Sequence, residues 1–560
     1  MTPNAASSGP SRRTFLASTA VATAAVAGGM PLLTACGGSD NSGSDNSGSP
    51  EGATTGKAAD KLIPTYVPST HAKPDLPPKN GSSAGYTGKV DLAALATSVP
   101  DKLGTGAPLT IMSPLWGTPP KAGCAYYKAV DAAAGTEVTW QNQDGTTYGQ
   151  KLGAVLASSS IPDMVVVPDW ELLNNKLTNA AGAKFMDLGP YLAGDKVKKY
   201  PNLAAIPSDS WRMAIIGGAL RGIPMSVAPA NFIVPYYRKD IFDKKGYSVP
   251  KSADEFLSWA KDATSAKAKV WACGDIAWVS GGIFGAAPGW NIDDDGKLRY
   301  GIERPEYLEA LEWTRKLFDA GVVHPDDRAR SGDAGQRFTA GEILVFASDL
   351  SGWYNNAAEQ AKANPEFQID AMDIFGADGG NPTLYASSAA NIWSMIRKGT
   401  SKETVENALA AANFAAAPYG TKERMLVDYG VEGTHYTVKD GVPVKNDQGN
   451  SEVINAWTML ATPAPYFAHP DLPDVARKQV EWQQRMGAFM KKTSTYGMKI
   501  VEPARYANLA SQHEQLQIDY VRGNKKLSDV QAAISTWRSS GGDELRDWYK
   551  KLLDKNGSGN

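Results

Sequence analysis

Cysteine and histidine are scarce in this 560-residue chain, neither sign of charge is in excess, and no apolar run has the length of a membrane span. Three cysteines, Cys36, Cys124 and Cys273, are too few for a disulfide framework. The five histidines, His71, His324, His435, His469 and His513, stand far apart and make no HExxH or His-x-His pair, so no catalytic metal centre is expected. A formal net charge of -2, with no lysine- and arginine-rich stripe, lacks the basic footprint that sequence-independent phosphate binding requires. Nucleic acid is therefore not an expected partner. No G-x-S-x-G, P-loop or Cys-His context occurs, so neither an activated nucleophile nor a cofactor is expected. Internal repeats are missing from the body of the chain as well, which argues against a purely structural or adhesive surface protein.

What is present starts at the N-terminus. In "SRRTFLASTAVATAAVAGGMPLLTACGG", residues 11–38, two arginines precede a stretch rich in alanine, threonine and glycine. It falls short of the ~20 strongly apolar residues a bilayer requires. Ser11 to Leu16 match a twin-arginine export motif, and Leu33-Thr34-Ala35-Cys36 resembles the bacterial lipobox. Residues 1–35 thus read as a signal peptide and Cys36 as the lipidated mature N-terminus. The protein is expected to be exported and lipid-anchored to the outer face of the cytoplasmic membrane, with no other membrane contact. A twin-arginine substrate crosses already folded from a reducing cytosol, so Cys124 and Cys273 are expected as free buried thiols. Residues 36–60 carry a tandem SDNSG repeat and no apolar cluster, the composition of a flexible tether. Residues 61–107, punctuated by proline, read as an extended strap lying on a fold surface, and residues 553–560 as a frayed tail.

Between residues 108 and 552 the chain has globular composition, with 15 tryptophans and 22 tyrosines over the whole length, enough for more than one core. "PLTIMSPLWG" (108–117) and "IPDMVVVPDW" (161–170) are apolar runs bounded by proline, the pattern of buried parallel strands. Between them Tyr148, Leu152, Val155 and Leu156 recur at helical spacing, which outlines a β-α-β unit. Ser252 and Glu255 form a capping box ahead of Phe256, Leu257 and Trp259. Pro305 opens and Gly321 closes a helix bearing Leu308, Leu311 and Leu317, and a third helix spans 401–418, ended by Pro418. This alternation predicts α/β layers that take ligands at the C-terminal ends of strands.

Four segments, in order along the chain, carry a resemblance: "YGQKLGAVLASSSIPDMVVV", "GALRGIPMSVAPANFIVPYYRKDIFDKKGYSVPKSADEF", "YGIERPEYLEALEWTRKLFDAGVVHPD" and "YGVEGTHYTVKDGVP". Together they resemble the extracellular solute-binding lipoproteins of ABC sugar importers, in the long oligosaccharide-binding branch. The resemblance implies an α/β fold of the two-lobed periplasmic-binding-protein type (type II), with discontinuous lobes. Residues 108–229 and 334–389 are expected as lobe I and residues 230–333 and 390–552 as lobe II, joined by crossover strands near 228–233 and 388–393. It also implies a monomer that clamps a carbohydrate, in particular an oligosaccharide, between its lobes without catalysis and hands it to membrane permeases.

A neutral saccharide offers apolar ring faces and a rim of hydroxyls, so its site calls for aromatic platforms beside planar polar side chains. Tryptophans next to strand ends are the candidates. Trp116 follows the first strand, Asp169 and Trp170 follow "MVVV", and Asp349 and Trp353 follow "ILVFASDL". Trp278 and Trp290 flank "VSGGIFGAAPG", and Tyr385 precedes the second crossover. Asp169 and Asp349 suit helix capping equally well. Trp140, Trp259, Trp313, Trp482 and Trp548 fall within strand or helix patterns and are assigned to packing. Arg221, Arg238 and Arg397 are placed to meet a uronate carboxylate, although solvation beside a strand suits each as well. In "NIDDDGKLRY" (291–300) Asn291, Asp293, Asp295 and Gly296 follow the first half of a calcium loop, but Ile302 stands where the closing glutamate belongs, and "DG" is a hairpin turn signal in itself. The turn is the reading adopted, with no metal ligand assigned. His435 in "EGTHY" is read as orienting its own loop, with a ligand contact as the alternative. The rival class is a surface-anchored carbohydrate-active enzyme, a glycosidase or lyase, whose paired carboxylates 59 acidic residues leave room for.

Overall fold

Apolar runs without alternation have to be covered on both faces, and here they become inner strands of two separate sheets. The computed structural model describes residues 52–558 apart from 100, 175–176, 455, 507–508 and 510. The segment read as a signal peptide, Cys36 and most of the segment expected as a tether lie outside the described residues. In chain order the strands of the two main sheets are β1 (Pro108–Leu115), β2 (Glu137–Asp144), β3 (Met164–Pro168), β4 (Ile223–Ser226), β5 (Val234–Arg238), β6 (Trp271–Cys273), β7 (Ile343–Ser348), β8 (Ile369–Ala371) and β9 (Ala390–Ile396). The first sheet has the order β2-β1-β3-β9-β4, and the second β8-β5-β7-β6. β1 runs parallel to β2 and β3, while β9 is antiparallel to both β3 and β4. In the second sheet β5 is antiparallel to β7 and β8, and β6 is parallel to β7.

Each sheet has its own core. Tyr126, Tyr148, Trp211, Trp393 and Trp457 are buried around the first, and Trp259, Trp313, Trp353, Trp482 and Trp537 around the second. The fold is therefore two-lobed α/β, but the partition of the chain differs from the expectation in one respect. Residues 334–389 belong to the second lobe, because β7 and β8 flank β5 there, and residues 390–461 belong to the first, because β9 is inserted between β3 and β4. A buried strand such as "ILVFAS" has no polar face, so its sequence says nothing about which sheet it joins.

The local signals behave as their chemistry dictates. The Ser252 hydroxyl accepts from the Glu255 amide at 3.1 Å, and the Glu255 carboxylate in turn accepts from the Lys251 amide at 2.9 Å, starting the helix Ala253–Ala263. The helix Pro305–Asp319 has proline in its first turn, and Lys402–Ala415 is capped by Ser401. Residues 61–107 cross between the lobes. The Thr65 and Val67 amides bond to Gly194 and Ala204 in lobe I. The Gly81 carbonyl then accepts from Ala230, the Ser83 amide donates to Gln483 at 2.9 Å, and Ala84–Tyr86 pairs in parallel with Tyr466–Ala468. The Ser98 and Val99 amides return to lobe I on the Glu423 carboxylate, at 3.0 and 3.1 Å.

Two boundary expectations are corrected. Residues 52–60 are part of the fold and not of the tether: Gly52 and Val501 exchange backbone hydrogen bonds, and the short helix Gly56–Asp60 buries Ala59 in the first core. At the other end the last helix, Asp543–Asn556, runs past residue 553, because Leu552 and Leu553 are buried and Asn556 accepts from the Thr55 hydroxyl at 2.8 Å. No helix among the described residues is long and apolar enough to cross a membrane.

Candidate functional site

Strand direction decides which residues face the other lobe. β1, β3 and β4 end, and β9 begins, at one edge of the first sheet, and the passages 227–233 and 386–389 leave and re-enter there. In the second sheet β5 begins, and β6 and β7 end, at the edge joined to those passages. Residues that follow β1, β3, β6 and β7 are thus gathered on facing edges, as Trp116, Asp169, Trp170, Trp278 and Asp349 are.

Three of the candidate tryptophans present rings to solvent at these edges: Trp116 is 46% exposed, Trp170 40% and Trp278 79%. Trp116 lies against Gly145 in the turn after β2. Trp278, in the first turn of the helix Ala277–Phe284, rims a cavity of about 540 Å³. Asp275, Gly289, Tyr307, Gln517 and Arg522 also line it, and Arg522 pairs with Asp275 at 2.9 Å. Apolar side chains such as Leu311, Ile518 and Val521 line it together with these hydrogen-bonding groups, the composition of a small-molecule pocket.

Other candidates are withdrawn from the site or redefined. Trp290 and Trp353 are each only 2% exposed. Trp290 packs on Tyr549 at 5.0 Å and beside Trp537, and Trp353 meets Tyr236 edge-on at 5.7 Å, so neither has a face left for a ligand. Asp349, just ahead of the helix Ser351–Ala363, accepts through Oδ1 from the Ser351 and Gly352 amides at 2.8 and 3.3 Å, so its carboxylate serves the first turn. Asp169 is ion-paired with Lys499, whose ammonium also lies 4.4 Å over the Trp393 ring. Tyr385 is half-buried in a two-residue strand that pairs with Met490–Lys491, and burial pushes its hydroxyl pKa up. Arg221 donates to the Ile216 and Phe185 carbonyls, Arg238 pairs with Asp240, and Arg397 pairs with Asp163. Those three cations hold their own neighbourhoods together and are not directed at a uronate.

His435 is fully buried. Its Nδ1 accepts from the Val431 amide at 2.9 Å, which leaves Nε2 to donate to Glu452 at 3.2 Å, so the ring knits its own loop. Residues 291–300 form the hairpin Trp290–Ile292 and Leu298–Tyr300, with Asp293 and Asp295 paired to Arg299 and Asp293 also to Arg304. Cys124 and Cys273 are free thiols, Cys273 buried and Cys124 half-buried.

Sequence reasoning missed two residues at these edges. Gly145 seats Trp116, and its signal was the Asp144-Gly145 turn dipeptide. Tyr354, beside the buried Trp353, stacks on His469 at 3.9 Å and donates to Asp471 at 3.0 Å. Burial lowers the His469 pKa, which keeps that stack neutral near pH 7.

Residues 117–422 match the family described as bacterial extracellular solute-binding protein. Lipoprotein LipO of Bacillus subtilis (strain 168) is 24% identical over 480 residues, which cover 79% of this chain and 92% of LipO. Among solved structures, the N-glycan transport solute binding protein NgtS from Streptococcus pneumoniae, in complex with Man1GlcNAc, superposes with a TM-score of 0.56 at 15% identity, covering 80% of this chain and 99% of NgtS. The ABC substrate-binding protein Lmo0181 from Listeria monocytogenes, in complex with cycloalternan, gives 0.52 at 16% identity, covering 78% and 99%. At these identities the likeness to both structures is one of fold.

Proposed function

The chain belongs to the bacterial extracellular solute-binding protein family, and from that premise we propose that it captures an oligosaccharide between its lobes and delivers it to the permeases of an ABC importer. The observation that carries this reading is the exposure of Trp116 and Trp170 on one facing edge and of Trp278 on the other. Flat apolar rings in that arrangement match the faces of pyranose units, and the rim of Asp275, Gln517 and Arg522 supplies donors and acceptors for hydroxyls. The saccharides bound by NgtS and Lmo0181 support the same class of ligand.

The mechanism is a population shift. A saccharide that touches both edges binds a closed arrangement more tightly than an open one, so occupancy is converted into a shape that permeases distinguish. Binding without turnover, by a monomer, is sufficient for this role. Export by the twin-arginine motif and lipidation at Cys36 complete the proposal, and the lipoprotein character of LipO supports the anchor.

Isothermal titration of the mature protein against maltotriose, cellotetraose, kestose, Man1GlcNAc and cycloalternan, with chromatography of the same samples, is the test. Saturable binding of at least one saccharide, recovered intact, is expected. Cleavage products would establish the enzyme class instead, and silence across the panel, together with superimposable scattering profiles with and without sugar, would remove the proposal.

A further inference from the structure

Resting on the functional reading above, we propose that Gly145 is a positioning residue that seats Trp116 as a rigid platform for a sugar ring. β1 and β2 stay in parallel register to their last pair, Leu115 and Asp144, and the Gly145 amide then donates to the Leu115 carbonyl at 2.9 Å. That bond carries the ladder one residue past the strands and brings Trp116 against the turn. The turn is itself fixed, because Asp144 Oδ1 accepts from the Thr146 and Thr147 amides at 2.9 and 3.1 Å. The Thr146 hydroxyl, together with those amides, lowers the pKa of the Asp144 carboxyl.

The indole occupies the space where a side chain at 145 would begin. A β-carbon there would stand 2.6 Å from Trp116 Nε1, well inside contact distance. Gly145 is not among the positive-φ glycines, so the position requires the absence of a side chain and not an unusual backbone. The indole thus rests directly on the glycine while 46% of the residue stays exposed. A ring fixed before the sugar arrives loses less rotational freedom on binding than a free one.

The test uses the mature protein labelled with 5-fluorotryptophan, with the Trp116 fluorine resonance assigned by its loss in Trp116→Phe. Gly145→Ala is expected to move that resonance, to leave the unfolding midpoint close to wild type, and to weaken the tightest-binding saccharide of the panel above by about three- to tenfold. In a Trp116→Ala background the same substitution should have no further effect on affinity. An unmoved resonance, or losses that multiply in the double variant, would overturn the assignment. If no saccharide in the panel binds wild type, the functional reading falls, while the resonance still decides whether Gly145 seats the indole.

Discussion

Trp353→Ala and Trp116→Ala are expected to have opposite signatures, and the pair separates packing from recognition. Trp353, in the first turn of the helix Ser351–Ala363, is almost fully buried, edge-on to Tyr236, whose hydroxyl donates to the Asp349 carbonyl at 2.8 Å. Truncating a tryptophan in such a place costs ~3–5 kcal/mol through lost transfer energy and a residual cavity. For a cooperative unit of a few hundred residues, at ~2–4 °C per kcal/mol, the midpoint of the second lobe should fall by roughly 6–20 °C. Trp116 is exposed and belongs to neither core, so its loss should shift stability by no more than ~1 kcal/mol. Its effect on binding should instead be on the order of 1–3 kcal/mol, by analogy with stacking of flat rings on aromatics. Differential scanning calorimetry reads the first quantity and isothermal titration, well below either midpoint, the second. A Trp353→Ala protein that melts like wild type but no longer binds saccharide would refute the reasoning, because it would place the ring in the site after all.

Burial pushes the Asp131 carboxyl up to about 6, against roughly 3.9 for an aspartate in an unfolded chain. Between those values the native state holds more protons than the unfolded state, so this group makes stability fall as pH rises from ~4 to ~6. Asp131→Asn should flatten a plot of melting midpoint against pH over that window, and an unchanged slope would count against the assignment. Gly487, at the end of the helix Pro473–Gly487, faces the Asn80 carbonyl so closely that a β-carbon cannot be accommodated. Gly487→Ala should therefore cost ~1–3 kcal/mol by overpacking and expose residues 76–86 to trypsin; resistance equal to wild type would show that the strap does not depend on this contact. Burial pushes up the pKa of both the Cys273 and the Cys124 thiols. A protein lacking Cys36 should react slowly with a thiol reagent when native and release two thiols in guanidinium, whereas none would mean a disulfide.

Sequence reasoning reached the local structure where the code is local. The apolar strands around 108–117 and 161–170, the capped helix after Ser252 and the proline-opened helix at 305 each depend on residues within a few positions of one another. It faltered at the strand Glu137–Asp144, an edge strand of alternating exposure whose polar sequence offers no apolar run. It also misassigned Ile343–Ser348, since pairing with Val234–Arg238 is a choice between two equally apolar partners a hundred residues away. The candidate site shows the same limit. Proximity to strand ends singled out Trp116, Trp170 and Trp278, which are exposed, together with Trp290 and Trp353, which are buried; exposure is set by the neighbours that tertiary structure supplies, so the two groups were indistinguishable in sequence.

The insertion of β9 between β3 and β4 fixes the order in which the protein can be made. Met164 is opposed by Ile396, so the first sheet stays open until the ribosome has delivered everything through residue 396, including most of the second lobe. Neither half can mature on its own, and contacts of such long sequence separation make for slow folding with apolar strand edges unpaired meanwhile.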